Sequence, residues 1–171
     1  TGSSPVVNQT SVTGNGWTNF IDGTSNKIIA SVNPRGQSLS NTAVQAFISS
    51  PPVSNWNGQY YLNRNITVKP AAEKPADSVS VRLYFLDSET DSMVFAAGCA
   101  SCPKLETAYD LGVSQYSDSM NHFENGILTD DSLGVWHFIP RAKLALVPFL
   151  NGYYSEFKVN GFSEFWLNSG G

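Results

Sequence analysis

The sequence predicts an all-β fold, a β-sandwich built from two antiparallel sheets. Short runs rich in Val, Ile, Thr, Tyr and Phe recur along the 171 residues, and clusters of Gly, Pro, Asn and Asp separate them at regular intervals. Residues 151–168 show this pattern most clearly, because two turns, Asn151-Gly152 and Asn160-Gly161, alternate with aromatic-rich strands. A chain of this length favours a single domain.

The N-terminal half contains several predicted strands. Residues 16–21 and 27–32 flank a turn-rich loop, which is the pattern of a β-hairpin. A β-prone run at 42–48 follows, and a longer strand at 59–69 begins after the turn Asn57-Gly58. Side chains alternate between the two faces of a strand. The longer strand therefore has one face with Tyr60, Leu62, Ile66 and Val68 and another with Tyr61, Asn63, Asn65 and Thr67.

The second half begins with the clearest predicted strand, at 78–86. One face of this strand should lie in the core: Val79, Val81, Leu83 and Phe85. Residues 87–97 have early acidic side chains and no helix breaker before Gly98, so they predict a short helix. Further strands are predicted at 113–116, 135–139, 144–149, 153–159 and 162–167. One helical insertion among many short strands fits an immunoglobulin-like or jelly-roll-like sandwich.

The two ends of the chain have the composition of linkers. We expect a linker at 1–14, one β-sandwich domain at 15–168 and a second linker at 169–171, as in a chain cut from a longer protein. No apolar run approaches the roughly 18 residues that span a bilayer, so no membrane insertion is expected.

The charge and composition of the chain limit which kinds of binding partner are expected. The net charge of −4 and the lack of a basic run exclude nucleic acid as an expected partner. Charged residues make up only 14% of the chain, against about 25% in typical soluble proteins. Ser, Asn, Thr and Gly make up the difference, which is common in extracellular β-domains.

Cys99 and Cys102 allow three interpretations. A redox motif would require a strand followed by a helix start in a βαβ unit, and the surroundings are β-rich. A zinc site would need two further ligands, for which the sequence offers His122 and His137. The third interpretation is a small disulfide that pins a loop, as in secreted proteins, and this is the one we predict.

Four strings of residues resemble a known module. They are 79–87 (VSVRLYFLD), 108–117 (AYDLGVSQYS), 151–157 (NGYYSEF) and 161–167 (GFSEFWL). They resemble a β-sandwich module of large secreted proteins of Bacteroidetes, which precedes the C-terminal sorting domain read by the type IX secretion system; the N-terminal half fits the same module. The resemblance implies export to the cell surface or the medium, with covalently linked neighbouring domains. It carries no catalytic residues over to this chain.

No catalytic motif is present, so no enzyme is expected. A glycoside-active enzyme needs two carboxylates, and three pairs are available: Asp87 with Glu89, Asp130 with Asp131, and Glu156 with Glu164. No feature of the sequence marks any pair as buried or as having a shifted pKa. No cofactor is expected, although five carboxylates are candidates for a structural calcium, because Ca²⁺ takes about six to eight oxygen ligands. These are Asp87, Glu89, Asp91, Asp130 and Asp131. Helix capping and turn preference explain the same residues without a metal.

The aromatic residues are the strongest functional lead, since sugar rings stack their C–H faces on exposed aromatic planes. We expect Trp17, Trp136 and Trp166 in the core. Trp56 lies between Pro51-Pro52 and Asn57-Gly58, where a buried Trp is less expected. The sequence therefore predicts a non-catalytic accessory module that binds polysaccharide or a cell-surface glycan through Trp56, Tyr60, Tyr61 and Arg64. The alternative is a structural spacer or adhesion module that presents neighbouring domains and needs no exposed aromatic platform.

Overall fold

The computed structural model describes residues 5–71, 74–118 and 125–170. Within these ranges the chain forms eleven strands, one α-helix and two short 3-10 turns. The strands are β1 Val6–Thr13, β2 Thr18–Ile21, β3 Ile28–Asn33, β4 Ser38–Trp56, β5 Gln59–Pro70, β6 Val79–Leu86, β7 Gly112–Ser117, β8 Val135–Ile139, β9 Ala145–Phe149, β10 Gly152–Val159 and β11 Glu164–Asn168. The helix α1 is Asp87–Val94, and the 3-10 turns are Ala108–Asp110 and Arg141–Lys143. The predicted all-β sandwich with one short helix is confirmed.

The strands form two antiparallel sheets packed against each other. The six-stranded sheet has the order β1-β4-β5-β11-β7-β8, and the five-stranded sheet has the order β2-β3-β6-β10-β9. The last strand, β11, pairs with β5 on one side and β7 on the other. The last strand therefore lies inside the six-stranded sheet, next to strands from the N-terminal half of the chain.

Alternation along the strands supplies the core between the sheets. Val79, Val81 and Leu83 on β6 are at most 1% exposed, and Phe85 is 3% exposed, as predicted. They belong to one apolar cluster with residues from the inner face of the six-stranded sheet: Val44, Ala46, Leu62, Ile66 and Val68. Burial of each Val, Leu, Ile or Phe side chain in this cluster stabilises the fold by about 1.5–3 kcal/mol.

The outer face of the six-stranded sheet is covered by the segment 125–134. Leu128 in this segment packs against Tyr61 and Trp166. Gly126 backs onto Phe47 so closely that a Cβ would overlap the Phe47 ring, and its φ of 73° also favours glycine. This cover explains why all five residues of β11 are buried, although alternate side chains point away from the sandwich interior.

The structure corrects the linker predictions at both ends. Residues 6–13 form β1, which pairs with β4 over its whole length, and Val12 is fully buried. The alternation that places Val12 in the core is too sparse to recognise among the polar residues around it. At the other end Ser169 is 3% exposed and its N–H donates to the Tyr60 carbonyl at 2.9 Å, so it belongs to the domain. Residues 1–4 and 171 lie outside the described ranges.

Candidate functional site

Trp56, the first of the predicted contact residues, lies at the end of β4. It pairs with Gln59 across the turn Asn57-Gly58, whose residues have φ values of 47° and 78°. Two positive φ values in a two-residue loop are what a type I′ hairpin requires. The Trp56 side chain is partly buried against a second apolar cluster, which contains Tyr61, Leu128 and Trp166. Trp56 therefore contributes to packing.

Tyr60 and Tyr61 do not join Trp56 in an exposed platform, so the predicted contact set is corrected. Tyr60 is 2% exposed and belongs to the cluster between the sheets, and its hydroxyl accepts the N–H of Cys99 at 3.0 Å. Tyr61 is 6% exposed and belongs to the cluster on the outer face. Successive residues of a strand point to opposite faces. Here both faces are covered, so neither ring is available to a glycan.

Arg64, the fourth predicted contact residue, holds the helix. Its guanidinium forms an ion pair with Glu89 of α1, with an Nη2–Oε1 distance of 2.9 Å. Nε also donates to both carboxylate oxygens, at 3.0 and 3.1 Å. Glu89 in turn accepts the N–H of Leu86 at 2.7 Å, at the start of the helix. The pair therefore ties α1 to β5.

The predicted calcium residues are not brought together. Glu89 is engaged by Arg64, and Asp87 and Asp91 are exposed on the helix. Asp130 accepts a hydrogen bond from the Asn125 amide at 2.9 Å, and Asp131 is buried in the segment that covers the six-stranded sheet. Among the residues that the structure describes, no three potential metal ligands converge.

The predicted disulfide is confirmed, since Cys99 and Cys102 are bonded. His137 is exposed on β8, whereas His122 lies outside the described residues. Of the three Trp residues expected in the core, Trp166 is buried, at 1% exposed, but it lies in the outer cluster. Trp17 and Trp136 are half-buried and lie outside the sandwich interior, so the prediction for them is wrong.

Aromatic side chains do meet at the surface, on the outer face of the five-stranded sheet. The ring centroids of Tyr84 and Phe149 are 5.1 Å apart, and those of Tyr84 and Tyr154 are 5.5 Å apart. Next to Tyr154, the guanidinium of Arg82 lies 4.6 Å from the Tyr154 ring centroid and 3.8 Å from the Trp17 ring centroid. We call these five residues, Phe149, Tyr84, Tyr154, Arg82 and Trp17, the aromatic strip.

Strand register builds the aromatic strip. Tyr84 on β6 stands opposite Tyr154 on β10, and two residues away Arg82 stands opposite Glu156. The Arg82 Nε donates to Glu156 Oε2 at 2.9 Å, with both side chains partly exposed. Phe149, Tyr154 and Trp17 are half-buried, so part of each ring faces solvent. Tyr84 is 8% exposed, so its ring supports Phe149 and Tyr154 from below and is not itself open to a ligand. The strip thus combines open aromatic surface with a charged pair that can hydrogen-bond a ligand.

A cleft of about 400 Å³ opens beside the aromatic strip. It lies where β6 ends, between the loop that joins β2 to β3 and the turn that joins β9 to β10. Tyr84 and Phe149 line the cleft and also belong to the strip, so the two surfaces are continuous. The other lining residues include apolar Ile28, Ile48, Phe85 and Leu150 and polar Asp22, Asn26, Lys27, Arg64 and Asn151.

The rim of the cleft has an unusual backbone. Asn26 and Leu150 have φ values of 55° and 52°, and the Leu150 side chain is 89% exposed. Left-handed geometry costs a non-glycine residue about 1–2 kcal/mol, and such residues recur at ligand sites.

The loop between β2 and β3 is ordered by Asp22. Its carboxylate accepts the hydroxyl of Ser25 at 2.5 Å and the N–H of Thr24 at 2.9 Å. These hydrogen bonds, the Ser25 hydroxyl first, hold the pKa of Asp22 below its ordinary value. The carboxylate is therefore committed to the loop and is not a free acceptor for a ligand.

No protein-family model matches the chain, and no curated protein matches it in sequence. In the described part of the chain, no helix has the length and apolar character needed to cross a membrane.

Proposed function

We propose that the protein is a non-catalytic carbohydrate-binding module that holds a glycan against the aromatic strip. The observation that carries this proposal is the run of rings from Phe149 through Tyr84 and Tyr154 to the stack of Arg82 on Trp17. The half-buried rings of Phe149, Tyr154 and Trp17 offer planes on which the C–H faces of sugars stack, and the buried Tyr84 ring holds Phe149 and Tyr154 in place. The predicted function is kept, and its site moves from the six-stranded sheet to the five-stranded one.

Polar groups beside the rings would satisfy the sugar hydroxyls. Glu156 is held by Arg82 through one carboxylate oxygen, which leaves its other oxygen for a ligand. Asn19 is exposed on the neighbouring strand, and its side-chain oxygen accepts the Ser31 hydroxyl at 2.6 Å. Both side chains are fixed before a ligand arrives, which lowers the entropy that binding must overcome.

The orientation of the rings favours a soluble chain over a crystalline surface. The planes of Phe149 and Tyr154 are inclined by 63°, so a flat sheet of sugars could not stack on both rings at once. A single flexible chain can follow this inclination. The proposed ligand is therefore a soluble polysaccharide strand.

The cellular setting that we propose is the cell surface or the medium. A disulfide persists in oxidising compartments, and the bond between Cys99 and Cys102 is consistent with export. In a secreted multidomain protein the module would keep covalently linked neighbours near their substrate. Its benefit would arise from effective concentration, so modest affinity would suffice.

A screen of the isolated domain against soluble polysaccharides by affinity electrophoresis tests the proposal. Phe149→Ala should weaken binding by about tenfold, because it removes one stacking ring. Trp56→Ala is the matched control, since it removes a half-buried ring from the other sheet and should leave the affinity unchanged. Each variant is checked by thermal unfolding.

The opposite result has a defined meaning. Binding that is lost with Trp56→Ala and retained with Phe149→Ala would return the site to the six-stranded sheet. A wild-type domain that binds none of the plant, algal and microbial glycans would contradict the proposal and favour the structural spacer.

A further inference from the structure

The cleft beside the aromatic strip has walls that suit an apolar group better than an unmodified sugar. Ile28, Ile48, Phe85 and Leu150 line it. Sugar hydroxyls placed against such walls would lose their hydrogen bonds to water without replacement, which is costly. Its volume of about 400 Å³ lies within the range of about 300–1,000 Å³ that is typical of small-molecule sites.

The charges around the cleft are balanced, which argues for a neutral ligand. Arg64 is the most buried charged group of the lining, and Glu89 neutralises it through the ion pair. At the rim, Lys27 and Asp22 carry opposite charges. A ligand carboxylate would therefore find no net positive charge to offset its desolvation.

Arg64 keeps one hydrogen-bond donor for such a ligand. Glu89 accepts from Nε and Nη2 of Arg64, and among the described residues no acceptor lies against Nη1. Because Arg64 lines the cleft, we assign its guanidinium as the donor to a ligand oxygen at the inner wall. A neutral carbonyl oxygen at the end of an apolar group fits a donor whose charge is already balanced.

The cleft and the strip share Tyr84 and Phe149, so one molecule can occupy both. We propose that the cleft binds an ester-linked acyl group of the glycan whose backbone lies on the aromatic strip. The apolar part of the acyl group contacts Ile28, Ile48 and Leu150, and its carbonyl oxygen accepts from Arg64. This inference rests on the proposed function and narrows the ligand to acylated polysaccharides.

The test compares one polymer in two forms. Acetylated xylan and acetylated glucomannan are each titrated into the wild-type domain, before and after mild alkaline removal of the esters, by isothermal titration calorimetry. The expected result is about tenfold tighter binding of the acetylated form of at least one polymer, from burial of the acyl group. Ile48→Trp, which fills the cleft, should abolish this preference, so that both forms bind with about the affinity that the wild-type domain has for the deacetylated form.

Ile28→Trp narrows the cleft from the five-stranded sheet and replaces Ile48→Trp if the first variant does not fold. Equal wild-type affinity for both forms would overturn the inference and leave the proposed function standing. A preference that persists in a folded cleft-filling variant would also overturn it. Failure of the wild-type domain to bind any of the four samples would overturn the inference, whereas the proposed function would fall only if the domain also bound none of the glycans in the wider screen.

Discussion

The two sheets each carry an aromatic cluster on the outer face, and the clusters differ mainly in what covers them. On the six-stranded sheet the Tyr61 ring lies 6.1 Å from Trp136 and 6.3 Å from Trp166. On the five-stranded sheet the rings of the aromatic strip are spaced by similar distances, 5.1 to 6.1 Å. The segment 125–134 closes the first cluster, and Trp166 is 1% exposed. Ring type and spacing alone therefore do not distinguish a packed cluster from a binding surface.

The clusters also differ in the groups that accompany the rings. In the closed cluster, burial raises the pKa of the Tyr61 hydroxyl. Burial also raises the pKa of the nearby Tyr116 hydroxyl. In the strip, a charged pair, Arg82 with Glu156, stands at the surface among the rings. We propose that the closed cluster serves stability and that the strip serves recognition.

Trp166→Ala should have the largest effect, and the effect should be on stability alone. Removing a fully buried Trp costs about 3–5 kcal/mol of the free energy of unfolding, because a cavity remains. Urea unfolding followed by circular dichroism measures this loss. Glycan affinity of the folded variant should be unchanged, and a loss of affinity without a loss of stability would contradict the division of roles.

High pH should weaken the closed cluster. Because the pKa values of Tyr61 and Tyr116 are raised on folding, their contribution to stability is present below the ordinary value of about 10. It is lost as the pH rises through the raised values. Ultraviolet absorbance should show late-titrating tyrosines, and chemical unfolding should show falling stability above about pH 10. Phenylalanine at both positions should reduce this dependence.

Opening the disulfide should have a moderate effect on stability. The ring between Cys99 and Cys102 is short, so replacing both by Ser should cost about 2 kcal/mol or less by urea unfolding. The bond holds the loop that contacts the Tyr60 hydroxyl, on the inner side of the six-stranded sheet. Glycan affinity should not change, and a tenfold loss would indicate that this loop belongs to the site.

Glu156→Gln should have the smallest effect on stability and a clear effect on binding. Its ion pair with Arg82 is partly exposed, and solvent screening limits such pairs to about 0.5 kcal/mol. The change removes a charged acceptor from the strip, so glycan affinity should fall severalfold in calorimetric titration. Glu106→Gln, an exposed carboxylate elsewhere, is the matched control.

Local features of the fold could be predicted because neighbouring residues determine them. The alternation of Val79, Val81, Leu83 and Phe85 identified a core strand, and the acidic residues after Leu86 identified α1. The turn at Asn57-Gly58 followed from its two residue types.

The candidate site could not be predicted in the same way. The aromatic strip depends on the register between β6 and β10, which places Arg82 beside Glu156, 74 positions away in the sequence. The burial around Trp56 depends on Leu128, which is far from Trp56 in the sequence and packs in the same cluster. Arg82 and Tyr84 are two residues apart on β6, and Tyr154 and Glu156 are two residues apart on β10. Aligning these two strands so that the aromatic residues stand opposite each other would have predicted the strip.

The four Trp residues allow the central claim to be tested in one measurement. Their indole N–H groups give separate signals in a ¹⁵N-correlated NMR spectrum, one from the aromatic strip and three from the covered sheet. On titration with acetylated xylan, acetylated glucomannan or whichever glycan the screen identifies, the account predicts that the Trp17 signal shifts. The signals of Trp56, Trp136 and Trp166 should stay in place. Shifts of Trp56 and Trp136 with a fixed Trp17 signal would contradict the account.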